Sequence, residues 1–496
     1  MARAKLLVAA AAAALAVLAA SSPARKPTSI RRLDGGTIPP ARIDRTVTDL
    51  MKAAEVPGLG LAILNDREIV YSRGYGDRDT EKRLPMTVNT VMSAASLSKA
   101  VFAVLVMTLV DDGVLDLDTP IRRYLPKPLP EYPRYADLAD DPRWERLTPR
   151  MLLSHTAGFA NWRAFEDDRK LKLHFEPGSR YAYSGEGIDL LQLVVETVTK
   201  TPLEELAQKR VFGPLGMTRT SYVWQARFDG DFANGYDEYR RSLGPEKRTT
   251  ADAAGSMQTT VHDFARFLQA ILRGRLLARV SREQMLSPQI AIHSKHQFPT
   301  LSDETRSETD PVRLSYGLGW GLSSSACGEA FFKEGHDAGW RNYAVGFDAS
   351  GNGLVILSNG ANGEGIFEGI LEKVQGNTCT PIEWEGFTPY DRLPPRPPLP
   401  RHTPVAVDAA VLRRYTGRYL IPPDIVLTVR WEGTHLTVQE NEEPRQDLVP
   451  ESSTRFFTVA EDVYTFETDA QGQATGLTLH VDDKDVPARR IGDAPP

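Results

Sequence analysis

A serine and a lysine three residues apart, Ser96 and Lys99 in "SAASLSKAVFAVLVMTLVDDG", can do nucleophilic chemistry if a helix puts them on one face. At that spacing the lysine nitrogen reaches the serine hydroxyl. Between Ala100 and Val110 only Thr108 is polar, so the predicted helix is apolar all round and must be buried. Burial disfavours an ammonium and pushes the lysine toward a neutral amine able to take the serine's proton. A lysine snorkelling from a helix end beside capping serines accounts for the same residues. The pair alone does not choose between these readings. Two later stretches offer partners: "RYAYSGEGIDLLQ", with Tyr181 and Tyr183 ahead of a small-residue turn and a helix, and "EGHDAGW", with His336 near a strand end. No Gly-x-Ser-x-Gly elbow, His-Glu-x-x-His zinc motif, phosphate loop or dinucleotide fingerprint occurs, so the chemistry calls for neither metal nor organic cofactor.

These residues need elements to hold them. Residues 58 to 76 alternate as two strands about the turn Asn65-Asp66, a hairpin. In "LTPRMLLSHTAGF" Thr148 caps a short helix that has Pro149 at its first position. Residues 187–200 and 259–272 have helical period, the second opened by Thr259 or Thr260. "SYGLGWGL", "NYAVGFDASGNGLVILSNG" and "IFEGILEKV" predict strand, hairpin and a closing helix. An antiparallel sheet split in sequence by a helical region is an α+β fold.

The ends of the chain read differently. Arg3, Lys5, the apolar run Leu6 to Ala20 and small residues through Ala24 predict a signal peptide over residues 1–24. No later segment is long and apolar enough for a membrane span. A Pro-rich linker is expected over residues 381–405, and alternating patterns over 406–493 predict a small antiparallel β domain, barrel or sandwich. A net charge of −6 with both signs mixed gives no sign of a nucleic-acid partner. Cys327 and Cys379 make one disulfide or two buried thiols.

The stretches "SAASLSKAVFAVLVMTLVDDGVLDLDTPIRRYLP", "LTPRMLLSHTAGF", "PGSRYAYSGEGIDLLQLVVETVTKTPLEEL", "GPLGMTRTSY", "SYGLGWGL" and "EGHDAGWRNYAVGF" follow one another across a domain placed at 42–380. In that order the chain resembles the serine β-lactamase/penicillin-binding protein family, in the class C branch with its related esterases and D-stereospecific peptidases. The resemblance implies the β-lactamase/transpeptidase-like fold and an acyl-enzyme. It makes Ser96 the nucleophile, Lys99 its activating partner, and Tyr183, in Tyr-Ser-Gly, the proton relay. It forms the oxyanion hole from the N–H groups of Ser96 and Gly339, or Ala338 if the register slips, and puts His336, Asp337, Ala338 and Gly185 against the substrate. His155 is read as a structural residue holding a helix end.

The departures matter. Gly185 stands for an Asn that would contact the lysine and a substrate amide, His336 for a lysine that would grip a carboxylate, and Ala338 for a glycine. An exported, secreted or periplasmic, serine hydrolase acting on a small-molecule ester or D-peptide fits better than one built for a β-lactam. A D-alanyl-D-alanine carboxypeptidase, a class C-like β-lactamase and an inactive binding or sensing protein are the alternatives.

Overall fold

In the computed structural model, which describes residues 29–307, 310–423, 425–481 and 484–494, the hairpin forms from Gly58–Asn65 (β1) and Glu68–Asp79 (β2). Its turn is Asp66-Arg67, one residue later than expected, with both residues at positive φ (50° and 63°). That is the backbone hand a two-residue hairpin favours. Asn65 ends the strand because its side chain is spent on the Arg31 backbone and on Asn352. The expected signal peptide, residues 1–24, lies outside the described residues.

The hairpin joins a nine-stranded sheet completed by Leu84–Pro85 (β3), Ile290–Ala291 (β4), Arg313–Tyr316 (β5), Gly321–Ser325 (β6), Gly328–Asp337 (β7), Trp340–Phe347 (β8) and Asn352–Ser358 (β9). Its order is β4-β5-β6-β7-β8-β9-β1-β2-β3, with every pairing antiparallel. The last strands in sequence thus meet the first at the centre of the sheet. Pro40–Ala54 (α1) covers one face, beside Phe367–Ile370 (α6), which continues the expected closing helix between a 3-10 and a π turn.

On the other face lies the helical region. Leu97–Asp111 (α2) is buried at every residue from Leu97 to Leu109, as its composition requires. Around it stand Pro149–Leu153 (α3), capped by Thr148 Oγ1, and Gly185–Thr199 (α4), which starts two residues before the periodic pattern because Ser184 caps it. Val261–Leu272 (α5) is capped by Thr260 and packs on β1 and β9. Two apolar cores, one around α2 and one under α1 and α6, sandwich the sheet.

Cys327 and Cys379 are disulfide-bonded. The linker does not begin at 381. Ile382, Trp384 and Phe387 are buried in the second core, with Trp384 against Tyr181 and Phe332, so the proline-rich stretch begins only after Tyr390. There Arg392–Glu368, Arg396–Glu55 and the Tyr239 hydroxyl on the Pro397 carbonyl lay it along the domain. Beyond it eight strands close an antiparallel barrel: Gly417–Ile421 (β10), Ile425–Glu432 (β11), His435–Glu440 (β12), Gln446–Pro450 (β13), Arg455–Phe457 (β14), Val463–Thr468 (β15), Ala474–Val481 (β16) and Lys484–Gly492 (β17). Its core is built on Tyr419, Leu427, Val429, Phe456 and Leu477. Closure removes the sheet edges that a sandwich would have exposed. Among the described residues no helix is long and apolar enough to cross a membrane.

Candidate active site

The chain enters α2 through a strained residue. Ala95 has φ +46°, a conformation that costs a non-glycine residue about 1–3 kcal/mol and survives only where neighbours impose it. Ser98 imposes it: its Oγ donates to the Ala95 carbonyl (2.5 Å) and accepts the Met257 N–H (3.1 Å). Ser96 is thereby set on the wall of a cleft of about 900 Å³. One turn on, Lys99 is 1 % exposed and its Nζ donates to Ser96 Oγ at 2.9 Å and to the Ala254 carbonyl at 2.6 Å. A lysine so enclosed is no snorkelling surface residue.

Tyr183 lines the same cleft, just before the Ser184 cap of α4. Its ring lies near two lysine nitrogens, 5.1 Å from Lys99 Nζ and 4.7 Å from Lys333 Nζ. Among the described residues its hydroxyl bonds to Lys333 (3.2 Å) and not to Ser96. Tyr181 belongs to the core, packed on Tyr316 and Trp384 at 5.2 and 6.1 Å between ring centres.

Lys333, on β7, is fully buried, and its Nζ also holds Glu334 Oε1 (2.5 Å) and the Glu334 carbonyl (3.1 Å). Burial pulls its pKa down, but Glu334 and Tyr183 outweigh that and hold it above the ordinary lysine value. Gln297 Nε2 donates to the same Glu334 oxygen at 2.9 Å. His155 packs against Tyr183 with ring centres 4.4 Å apart and the planes tilted by 42°, and it takes the Ser184 N–H on Nδ1 (3.2 Å). Burial first, then Lys333 and Lys99, push its pKa well below 6.5, so the ring is neutral and acts as a backing for the tyrosine.

The facing wall is the end of β7. His336, Asp337 and Ala338 line the cleft, with His336 half-exposed and its Nδ1 3.3 Å from Glu364. Gly339 does not face the cleft. It sits at φ +74° in the two-residue turn between Asp337 and Trp340, so close to Gly235 and Tyr236 that a Cβ would come within 2.8 Å of the Tyr236 nitrogen. Ala338 is the residue on the cleft side of this turn. Gly185 is also displaced from the wall: Trp162 stands there, and a Cβ on Gly185 would lie 2.2 Å from the indole.

The barrel completes the cleft. Glu440, Asn441 and Glu443, at the β12–β13 turn, line it. Glu442 accepts the N–H and hydroxyl groups of both Thr249 and Thr250 at 2.6–2.8 Å, and Arg248 pairs with Glu443 at 2.5 Å. Among the described residues no group of three or more His, Cys, Asp or Glu side chains is placed to hold a metal ion.

Sequence reasoning missed Lys333, Trp162 and the Ala254 carbonyl. The first left a trace: Phe331, Lys333 and Gly335 fall on one face of β7, and a lysine among such neighbours has to be paired. The carbonyl left none, because it depends only on the path of the chain.

Comparison with known proteins places the chain in a family. Residues 43–374 match the family described as Beta-lactamase, and residues 401–490 match a domain of unknown function, DUF3471. The chain is 24 % identical over 465 residues to penicillin-binding protein 4* of Bacillus subtilis, covering 85 % of this chain and 92 % of that one. It is 32 % identical over 209 residues to esterase EstB of Burkholderia gladioli, covering 37 % and 51 % respectively. Among solved structures, the octameric penicillin-binding protein homologue from Pyrococcus abyssi shares the fold at TM-score 0.56 and 20 % identity, over 91 % of this chain and 98 % of that one. With a family match over about two-thirds of its length, this chain belongs to the beta-lactamase family of serine hydrolases.

Proposed function

We propose that the protein is an exported hydrolase that acts through an acyl-enzyme on an uncharged ester or an amide, in the manner of a carboxylesterase or a D-stereospecific peptidase. The observation that carries the reading is the 2.9 Å contact between the buried Lys99 Nζ and Ser96 Oγ at the wall of the cleft. Ser96 Oγ attacks the carbonyl carbon while its proton passes to the Lys99–Tyr183 side of the cleft. The negative oxygen is met by the N–H of Ser96 and by that of Ala338 once it leaves Asp337 Oδ1, which accepts it at 2.8 Å. Lys333 fills an acceptor position on the Tyr183 oxygen, which leaves the hydroxyl hydrogen for the leaving group. That group departs with the proton, and water, deprotonated along the same route, releases the acid and restores Ser96.

The charge of the cleft bears on the substrate. Asp337, Glu364, Glu440 and Glu443 line it, and His336 is turned to Glu364. Arg248 lines it too, but it is already paired with Glu246 and Glu443, and burial pushes Glu443 up to about 8. The cleft therefore offers little to a substrate carboxylate, which argues for a neutral substrate over a β-lactam antibiotic. The disulfide between Cys327 and Cys379 supports an oxidising compartment, in keeping with export.

The test uses wild type and Ser96→Ala with a fluorophosphonate probe, p-nitrophenyl esters, a chromogenic cephalosporin and D-Ala-D-Ala peptides. Wild type is expected to label at Ser96 and to turn over esters fastest, with Ser96→Ala silent in both assays. An unlabelled, inactive wild type sinks the hydrolase reading, and labelling of Ser96→Ala sinks the assignment of the nucleophile.

A further inference from the structure

We propose that Trp162 determines which acyl group the enzyme accepts: its indole makes the pocket beside Ser96 fit a flat apolar acyl group and closes it to one carrying an amide arm. The inference rests on the hydrolase reading of the same cleft and adds the substrate class.

Trp162 is held in place from both sides. The Asn161 carbonyl accepts the N–H groups of Gly185 (3.0 Å) and Glu186 (3.1 Å), and Asn161 Oδ1 accepts that of Gly185 as well (3.0 Å). Before it, the Ala160 carbonyl takes the Ser184 hydroxyl at 2.8 Å. After it, the Arg163 guanidinium grips the buried Glu186 carboxylate with two bonds of 2.8 Å, and the Arg163 N–H adds a third at 3.1 Å. Every residue around Trp162 is thus fastened to the first turn of α4. The backbone on either side of the indole is thereby fixed, and the ring occupies the space into which a side chain at position 185 would project, 2.2 Å from an ideal Cβ.

What the ring covers is the reactive centre. Lys99 Nζ lies 5.7 Å from its centroid, over the aromatic face. Phe298 meets the Tyr183 ring edge to face at 5.6 Å, and Phe165 lines the same cleft. Both phenylalanines are unusually exposed for their type, Phe165 at 70 % and Phe298 at 44 %. Exposed aromatic side chains gathered at one opening mark a binding surface. An amide arm laid on the indole face would lose the hydrogen bonds it makes to water, whereas a phenyl or short branched acyl group would bury apolar area there.

Two esters with one leaving group decide the matter: p-nitrophenyl phenylacetate and p-nitrophenyl N-acetylglycinate. Wild type is expected to favour the phenylacetate in kcat/KM by about tenfold or more, within the range a shaped apolar pocket provides. Trp162→Ala should erase most of that ratio, chiefly through KM for the phenylacetate, and Trp162→Phe should keep it. Gly185→Ala, which forces the ring aside, should lose it as Trp162→Ala does, so the proposal does not depend on one variant folding. A ratio unchanged in Trp162→Ala and Gly185→Ala, or a wild type that favours the acetylglycinate, overturns it. Calorimetry of phenylacetamide and N-acetylglycinamide on Ser96→Ala reads the same preference without turnover. An inactive, unlabelled wild type therefore removes the hydrolase reading, while the binding order still decides the pocket.

Discussion

Replacing Lys333 by methionine keeps the length of the side chain and removes its charge. Its partner Glu334 Oε1 is 2.5 Å away, with side-chain exposures of 0 and 6 %. At an effective dielectric constant of about 20, charges at that distance attract by about 7 kcal/mol, and stripping water from each ion costs several kcal/mol in return. The net worth of the pair is small. The cost of breaking it is not, because the variant leaves a carboxylate buried. That costs about 3–5 kcal/mol, eased by the Gln297 hydrogen bond. Lys333→Met/Glu334→Gln removes both charges and should recover most of the loss. Activity should behave otherwise. Both variants lack the nitrogen that holds the Tyr183 hydroxyl, so kcat/KM on a p-nitrophenyl ester should fall about 100-fold or more in each, the low end for a proton-transferring group. The folded state holds Lys333 above its ordinary value of 10.5, so its contribution is complete below that pH and fades only as pH rises through the folded value. The stability gap between wild type and Lys333→Met should nevertheless widen from pH 6 to 9, because the Glu334 carboxyl left without its partner is pushed up by burial, protonated at the low end and charged at the high end. Urea midpoints and initial rates over that range are the assay. A double variant that regains its rate together with its stability would reduce Lys333 to a structural residue, and an unchanged midpoint in the single variant would refute the buried-pair argument.

His155 must stay neutral in the folded protein while the unfolded chain binds a proton near its ordinary value of 6.5, so stability should drop as pH falls below that value. Urea midpoints at pH 5, 6 and 7 should show a slope that His155→Gln flattens, and equal slopes would count against it. Glu442 is one tether of the barrel, beside the Arg248–Glu443 and Arg241–Glu461 pairs: burial raises its pKa, but the bonds from Thr249 and Thr250 outweigh this and hold the carboxyl below its ordinary 4.5. Its contribution is present above that value and lost as pH falls through the lower folded one. Glu442→Ala should weaken docking by about 1 kcal/mol, small because the site is partly exposed. Trypsin should then cut faster after Arg392 and Arg401, and KM should rise more than kcat falls. Unaltered proteolysis and KM would mean that the barrel is held by other contacts.

What could be read from the sequence followed how local its cause was. The α2 helix, the caps Thr148 and Thr260 and the alternating strands of the barrel are written in residues next to one another, and each stands where the pattern put it. Errors arose where distant packing decided. Residues 381–390 look like a linker because they contain prolines and turn formers, yet Trp384 finds an aromatic site made by Tyr181 and Phe332. Gly339 matches the family pattern by position, but the two-residue turn sends it toward Gly235 and brings Ala338 to the cleft. A register of one residue separates the two, and no local signal fixes it.

The three departures from the family pattern share a logic that a position-by-position reading hides. At each, a function has moved to a neighbouring residue or been closed off. Where an asparagine is replaced by Gly185, Trp162 enters the vacated space from the preceding loop and faces Lys99. Where a lysine is replaced by His336, β7 still carries a cation three residues earlier, but Lys333 is turned inward onto Glu334 and Tyr183, beyond the reach of a substrate carboxylate. Where a glycine is replaced by Ala338, the glycine one step on takes the turn. On the proposed reading, Ser96, Lys99 and Tyr183 keep the proton route, and the positions expected to hold a charged, amide-bearing substrate face an aromatic wall and, from the barrel, Glu440, Asn441 and Glu443. Restoring one family residue should therefore not restore a family substrate. Gly185→Asn would collide with Trp162, so a gain on amide-bearing acyl groups should need Gly185→Asn and Trp162→Ala together, a non-additive pair whose coupling a double-mutant cycle measures.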